Sequence, residues 1–464
     1  MSVAPVRRRR RIVRRVLLGL LVVVIVALVG GYWYARPLLM TGTGYAAHNA
    51  CAVKGIAGRS NPDTDLPPNP LVPYLRTSDA TDSSSVTTTV LGVLAGQTAY
   101  FTGDYGCTLG EQPTATTAAL PGTNDEWRRT QAAQKNPYLA APAPTMSAEV
   151  TAALARAFGD DLPAAQQQAL GTRGIVVLVD GHLVAERYAP GFTATTPQLG
   201  WSMSKSVANL LTGRLVQQGK VALTDAKLRP EWTDNRSTIT VDQLMRMTSG
   251  LQWDETYDLG TTITRMLYME PDMAGYVAGL PAEHAPGTYL EYSSGSTNLL
   301  CSVLRAKAGA GPELPYTQLI VPLGLGSAVW EPDGSGTPVC SSYLWATPRD
   351  WATIGQFALQ NGAWGGEQLL PTDWMATSTT AQPVAQSEEK PYAAGWWVNK
   401  GADGSLVEPS LPADTYWASG HDGQRLYVVP SAGVVVARLG FSPSVDAADL
   451  RVVDLVRAMV NAAE

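Results

Sequence analysis

Charge is scarce in this chain of 464 residues: Asp, Glu, Lys and Arg together make up 16% of it. An average soluble protein carries about 25%. With 45% apolar residues beside so little charge, disorder along the whole length is excluded. Phenylalanine is rare, at 5 residues, but 13 Trp and 18 Tyr supply aromatic surface for a sizeable core. Histidine and cysteine occur four times each. His48, His182, His284 and His421 show no ligand spacing with one another or with the cysteines, so nothing points to a metal site. A long internal repeat is absent. Acidic residues are missing from the first 15 positions, which hold seven Arg; the remaining 27 basic residues against 40 acidic ones give the rest of the chain a net charge of −13. A nucleic-acid-binding protein shows its basic face in the folded part, and here the basic charge is confined to a leader. Nucleic acid is therefore not expected as a partner.

That leader, residues 1–15 with Arg7 to Arg11, Arg14 and Arg15, precedes an uncharged run from Val16 to Ala35. About 20 residues in a helix cross a hydrocarbon core of about 30 Å. The arginines predict a cytoplasmic N-terminus, and Tyr32, Trp33 and Tyr34 suit the outer interface. The reading is an uncleaved transmembrane anchor with the body outside the cytoplasm. The competing reading is a cleaved secretory signal, marked by a shorter apolar stretch and an A-x-A-like site; no convincing site follows Gly31. Four cysteines in an exported chain pair in three ways. Pairing by neighbourhood gives Cys51 with Cys107 and Cys301 with Cys340; the alternative leaves Cys301, in the apolar run NLLCSVL, a buried thiol.

Residues 36–146 read as an extracytoplasmic region, with loops and short strands over 38–111 and a Pro-, Ala- and Thr-rich wrap or linker over 111–144. Ser147 caps an amphipathic helix, SAEVTAALARAF, where the compact domain of residues 147–464 begins. Two strands joined at Asp180-Gly181 form a hairpin. LYVVP and VVVARLG around Ser431-Ala432-Gly433 form another near the end, before the closing helix DAADLRVVDLVRAMV. Between the hairpins lie more than 200 residues of helix and loop signals. The fold class is α+β: one antiparallel sheet built from both ends of the domain, flanked by helices, with a helix-rich region inserted.

The segment WSMSKSVANLLTGRLVQQGKV puts Ser202 and Lys205 three residues apart at the start of a helix that Gly219 ends. Positions i and i+3 share a face, so the amine reaches the hydroxyl. A serine hydroxyl becomes a good nucleophile when a neighbouring base takes its proton, and a buried lysine serves once its pKa falls. The helix N-terminus adds free N–H groups where charge develops on an acyl oxygen. Ser-x-x-Lys alone is weak, and Ser387-Glu388-Glu389-Lys390 repeats it in a polar stretch with no helix start. Two further elements add specificity. Tyr292-Ser293-Ser294 follows Pro286-Gly287 on a loop before an apolar helix, and His421-Asp422-Gly423 precedes the C-terminal hairpin. Their order spans about 220 residues.

With these motifs, and with MTSGL at Met247 to Leu251 and GHDGQ at 420–424, residues 147–464 resemble the serine β-lactamase and D-alanyl-D-alanine peptidase-like hydrolases. The class C-like branch, with its esterases and 6-aminohexanoate-oligomer hydrolases, is the most similar. The resemblance implies a nucleophilic Ser202, an activating Lys205 and Tyr292 as proton shuttle, with the backbone N–H groups of Ser202 and Gln424 as oxyanion hole. Ser294, His421, Gly423 and Trp201 would border the substrate. No metal or cofactor is implied. Many lactam-directed members carry Asn where this chain has Ser294, and Lys-Thr-Gly where it has His421-Asp422-Gly423. An imidazole mostly neutral at pH 7 thus replaces a fixed cation, which favours a small ester, amide or peptide substrate over β-lactams. A D-alanyl-D-alanine carboxypeptidase, penicillin-binding or β-lactamase activity and a non-catalytic sensor or binding ectodomain with the same fold are the rival expectations. The other tryptophans, and the loop of Asp254, Glu255 and Tyr257, are read as packing and solvated loop; Asp350 is read as a helix start. Arg425 is a candidate replacement cation, with the cleft-facing side chain left open between it and Gln424.

Overall fold

A computed structural model describes residues 4–110, 120, 125–388 and 390–463. Its first element, α1, is a single helix over Ala4–Gly55 that passes through Pro37. The loops expected at 38–55 are therefore helix. The reason is burial: small residues from Thr41 to Val53 face inward, several of them fully enclosed, and a side chain at Gly44 would meet the Tyr268 carbonyl at 2.4 Å. Packing of this kind stabilises a helix across one missing backbone donor. Strands β1 (Leu75–Asp79), β2 (Ser85–Val90), β3 (Leu94–Phe101) and β4 (Cys107–Leu109) follow as an antiparallel sheet in that order.

This N-terminal region docks on the rest of the chain. Glu331 is the hub, fully buried: one oxygen accepts from the Cys107 N–H (2.7 Å), the other from Trp345 Nε1 (2.9 Å) and lies 3.0 Å from His48 Nε2. Asp65 adds paired bonds from Arg59 and Arg173. A Cys51–Cys107 disulfide ties α1 to β4, and a Cys301–Cys340 disulfide ties two parts of the larger domain, the pairing expected by neighbourhood. Of the Pro-rich stretch, residues 111–119 and 121–124 lie outside the described residues; the remainder is an ordered wrap in which the Tyr138 hydroxyl donates to the Gly181 carbonyl (2.9 Å).

The larger domain carries β5 (Thr172–Val179), β6 (His182–Tyr188), β7 (Trp397–Val398), β8 (Tyr416–Gly420), β9 (Gln424–Val429) and β10 (Val434–Gly440). They form one antiparallel sheet in the order β7-β8-β9-β10-β5-β6, with β10 from the end of the chain paired to β5 from its start. Asp180 and Gly181 join β5 to β6 with positive φ, 50° and 75°, the conformation that a two-residue hairpin turn requires. Five helices flank or adjoin it: α2 (Ala148–Ala157), α3 (Met203–Gln217), α4 (Ser294–Ala308), α5 (Pro348–Leu359) and α6 (Val452–Ala463). Ser147 accepts from the Val150 N–H and so caps α2. Successive strand residues point to opposite faces. Val176 and Leu178 accordingly join the core of α3 and α5, and Ile175 and Val177 that of α2 and α6. Asp350 opens α5 and holds Ser327 and Asn136, a structural role.

Candidate active site

Ser202 stands at the first turn of α3, and its approach is crowded. A Cβ on Gly200 would lie 2.0 Å from the Trp351 ring, and one on Gly420 would lie 2.2 Å from the Gly200 carbonyl. Only glycine at both positions lets α5 and the end of β8 close on the start of α3. Trp201, between Gly200 and Ser202, is held at φ 49°, a left-handed conformation rarely adopted by a bulky residue and concentrated at functional sites. Ser202 makes no capping bond to its own helix, which leaves its Oγ to Lys205. It retains 8% of its surface.

Lys205 is 2% exposed. Its Nζ lies 2.7 Å from Ser202 Oγ, 2.8 Å from Ser294 Oγ and 3.3 Å from the Ser341 carbonyl. Burial pushes its pKa down to about 8, against the opposing pull of Glu255. The Tyr292 phenol is within hydrogen-bonding reach of Ser202, and burial, then Glu255, hold its pKa far above the ordinary tyrosine range. Nζ also sits 4.7 Å from the Tyr292 ring centre. Tyr392 and Trp397 pack on that ring at 5.2 and 5.1 Å and fix it.

Glu255 belongs to the same network, which corrects its reading as a solvated loop residue. One oxygen accepts from Ser294 Oγ (2.6 Å) and lies 3.6 Å from Lys205 Nζ; the other accepts from the Ser294 N–H (2.8 Å) and Trp253 Nε1 (2.6 Å). Ser294, expected at the substrate, thus has its hydroxyl committed between Lys205 and Glu255. The missed signal was a carboxylate two residues after a tryptophan, just beyond MTSGL. The second Ser-x-x-Lys is set apart as expected: Ser387 is an exposed bend residue, and Glu389 lies outside the described residues.

His421-Asp422-Gly423 leads directly into the C-terminal hairpin of β9 and β10, as expected, and because Tyr416–Gly420 is a strand as well it also forms the turn between β8 and β9. His421 stacks on Tyr257 (4.0 Å) and meets Trp201 edge-on (5.5 Å). Gly423, at φ 90°, leaves no room for a side chain against Arg438. Gln424 turns its amide towards Gly440. Arg425 is the side chain on the Tyr292 side: it donates to the carbonyls of Gly420 and Gln424, and its charge opposes the rise in the Tyr292 pKa. Trp201 also stacks on Tyr45 of α1 (6.1 Å). A cavity of about 260 Å³ opens between the two regions, walled by Tyr45 and Leu71 on one side and Tyr257, Tyr268 and His421 on the other.

Residues 152–453 match the family model described as Beta-lactamase. The chain belongs to the beta-lactamase family. Protein flp of Staphylococcus aureus (strain MW2) is 26% identical over 249 residues, 46% of this chain and 48% of flp. The chain thus spans about half the length of that relative. The 6-aminohexanoate-dimer hydrolase of Paenarthrobacter ureafaciens is 23% identical over 300 residues, 59% of this chain and 74% of that protein. A solved Bacillus anthracis protein described as a 6-aminohexanoate-dimer hydrolase shares the fold, with a TM-score of 0.55 and 20% identity over 76% of this chain and 98% of that one. The α+β class and the likeness to beta-lactamase-like hydrolases read from the motifs are thereby shown.

Proposed function

We propose that the chain is a membrane-anchored serine hydrolase that cleaves ester or amide bonds outside the cytoplasm through an acyl-enzyme. The observation that carries this reading is the 2.7 Å contact between a buried amine and a helix-start hydroxyl. Ser202 Oγ attacks the substrate carbonyl as Lys205 takes its proton. The backbone N–H groups of Ser202 and Gln424 receive the developing oxyanion. Tyr292, whose raised pKa disfavours a phenolate, hands a proton to the departing alcohol or amine and takes its replacement from the Lys205 ammonium. Water then attacks the acyl group by the reverse route. No step requires a metal or a cofactor. Glu255 steadies the ammonium that Lys205 becomes, through Ser294 and across 3.6 Å.

The uncleaved anchor at residues 16–35 is supported by an exposed apolar helix of spanning length, by the arginines before it, and by two disulfides, which fit an oxidising compartment. A carboxypeptidase reading draws on Arg425, a cation on the Tyr292 side that suits a terminal carboxylate. Release of p-nitrophenol from short esters with no release of D-alanine from a D-alanyl-D-alanine peptide supports the ester and amide reading; the opposite pattern overturns it. An adduct that forms once and never turns over points to a sensor.

A further inference from the structure

Among the described residues beyond Tyr34, the exposed large hydrophobic side chains are Leu38, Tyr74, Leu91, Val93 and Leu406. Scattered singly they would need no explanation. Four of the five gather at one end of the molecule. Leu91 and Val93 form the turn from β2 to β3, and the Leu91 N–H donates to the Tyr74 carbonyl (2.9 Å), so Tyr74 adjoins that turn. Leu91 is held at φ 53°, where a water-facing turn would favour Asn or Gly.

Ala95 fixes the height of this turn against α1. Its N–H donates to the Tyr32 phenol (3.2 Å), and its carbonyl accepts from the Thr43 hydroxyl (2.6 Å). Ala95 is therefore bracketed along the helix by residues on either side of Ala35, where the apolar run ends. β3 climbs in the same sense as α1, since Gly55 meets Phe101. The turn precedes Ala95 by two to four residues, and a strand advances about 3.3 Å per residue. It falls level with the outer end of the run. Val93, 81% exposed, and Leu91, 59% exposed, thus stand beside the helix where lipid gives way to water. Arg36, whose guanidinium lies 5.4 Å from the Trp33 ring, and exposed Arg76 flank the patch as partners for phosphate headgroups.

We propose that the β2–β3 turn, with Leu38 and Tyr74, is a second membrane contact: it enters the outer leaflet beside the anchor and sets the orientation of the hydrolase domain on the bilayer. The inference rests on α1 being an anchor. Continuity with that helix, and the gathering of four of the five exposed apolar side chains at its outer end, identify lipid as the occupant.

The test uses the full chain in phosphatidylcholine–phosphatidylglycerol vesicles. Three variants, Val22→Cys, Val93→Cys and Asp403→Cys, each carry one environment-sensitive fluorophore. The four cysteines of the chain are paired in disulfides and leave the label to the new thiol. Quenching by lipids with a shallow nitroxide is expected to be at least threefold stronger at position 93 than at position 403, while position 22 is quenched chiefly by lipids with a mid-chain nitroxide. Quenching at 22 with none at 93 beyond that at 403 overturns the second contact while the anchor stands. No quenching at 22 removes the anchor reading itself, and the inference with it.

Discussion

Replacing Glu255 by Gln is expected to move the acid limb of the activity profile to lower pH. Lys205 works as a base only when neutral, and its pKa near 8 reflects burial, which lowers it, opposed by Glu255, which raises it. The carboxylate oxygen lies 3.6 Å from Nζ and the Glu255 side chain retains 21% of its surface. Two unit charges at that distance attract by about 1 kcal/mol in water and about 5 kcal/mol at an effective dielectric of about 20. Partial exposure places the pair in the lower half of that range, about 1–3 kcal/mol, or about one to two pKa units. The sign follows directly. Removing an anion disfavours the ammonium, the pKa of Lys205 falls further, and the neutral base is present at lower pH. The assay is kcat/KM for p-nitrophenyl acetate from pH 5 to 9 at constant ionic strength, for the natural chain, Glu255→Gln and Glu255→Asp. The Asp variant should recover part of the original limb. A Glu255→Gln limb that stays in place or moves up refutes the reasoning, even if the rate falls, because a purely structural defect lowers the plateau without shifting the limb.

Tyr292→Phe should retain the fold and lose about 10²- to 10⁴-fold in kcat, the range for a positioned acid or base; an unchanged kcat would assign the proton transfer elsewhere. Gly200→Ala puts a methyl group 2.0 Å from the Trp351 ring, so denaturant unfolding should show a loss of about 1–3 kcal/mol, with activity reduced as Ser202 shifts. Cys51→Ser with Cys107→Ser opens a loop with a sequence separation of 56 residues, for which chain entropy predicts a loss of about 4 kcal/mol. That loss should appear as early release of the N-terminal region, read by proteolysis near residue 75.

The parts of the fold legible in the sequence were those fixed by local chemistry. Asp180-Gly181, Ser147 and Gly219 mark a turn, a cap and a helix end through backbone requirements that any reader of the chain can apply. Two cysteine pairs and an amphipathic terminal helix followed from neighbourhood and period. What stayed hidden depended on distant partners. Residues 38–55 are helical because β3 and the Tyr268 region cover them, which no property of PLLMTGTGYAAHNA announces. Glu255 looked like loop chemistry because its partners Ser294 and Lys205 lie 39 and 50 positions away. The strand before His421 was missed for a related reason: Tyr416–Gly420 is short, and its pairing to β9 rather than its own alternation makes it a strand. The Ser202 and Lys205 pair was readable because a helix alone brings them together; Tyr292 required the resemblance.

The most direct test of the account is the covalent fate of one hydroxyl. Intact mass spectrometry after treatment with a fluorophosphonate, followed by peptide mapping, should show one adduct per chain, on the peptide containing Ser202. Ser202→Ala, confirmed folded by circular dichroism, should take up none. An adduct of equal extent on the folded Ser202→Ala chain would contradict the assignment of the nucleophile and, with it, the mechanism.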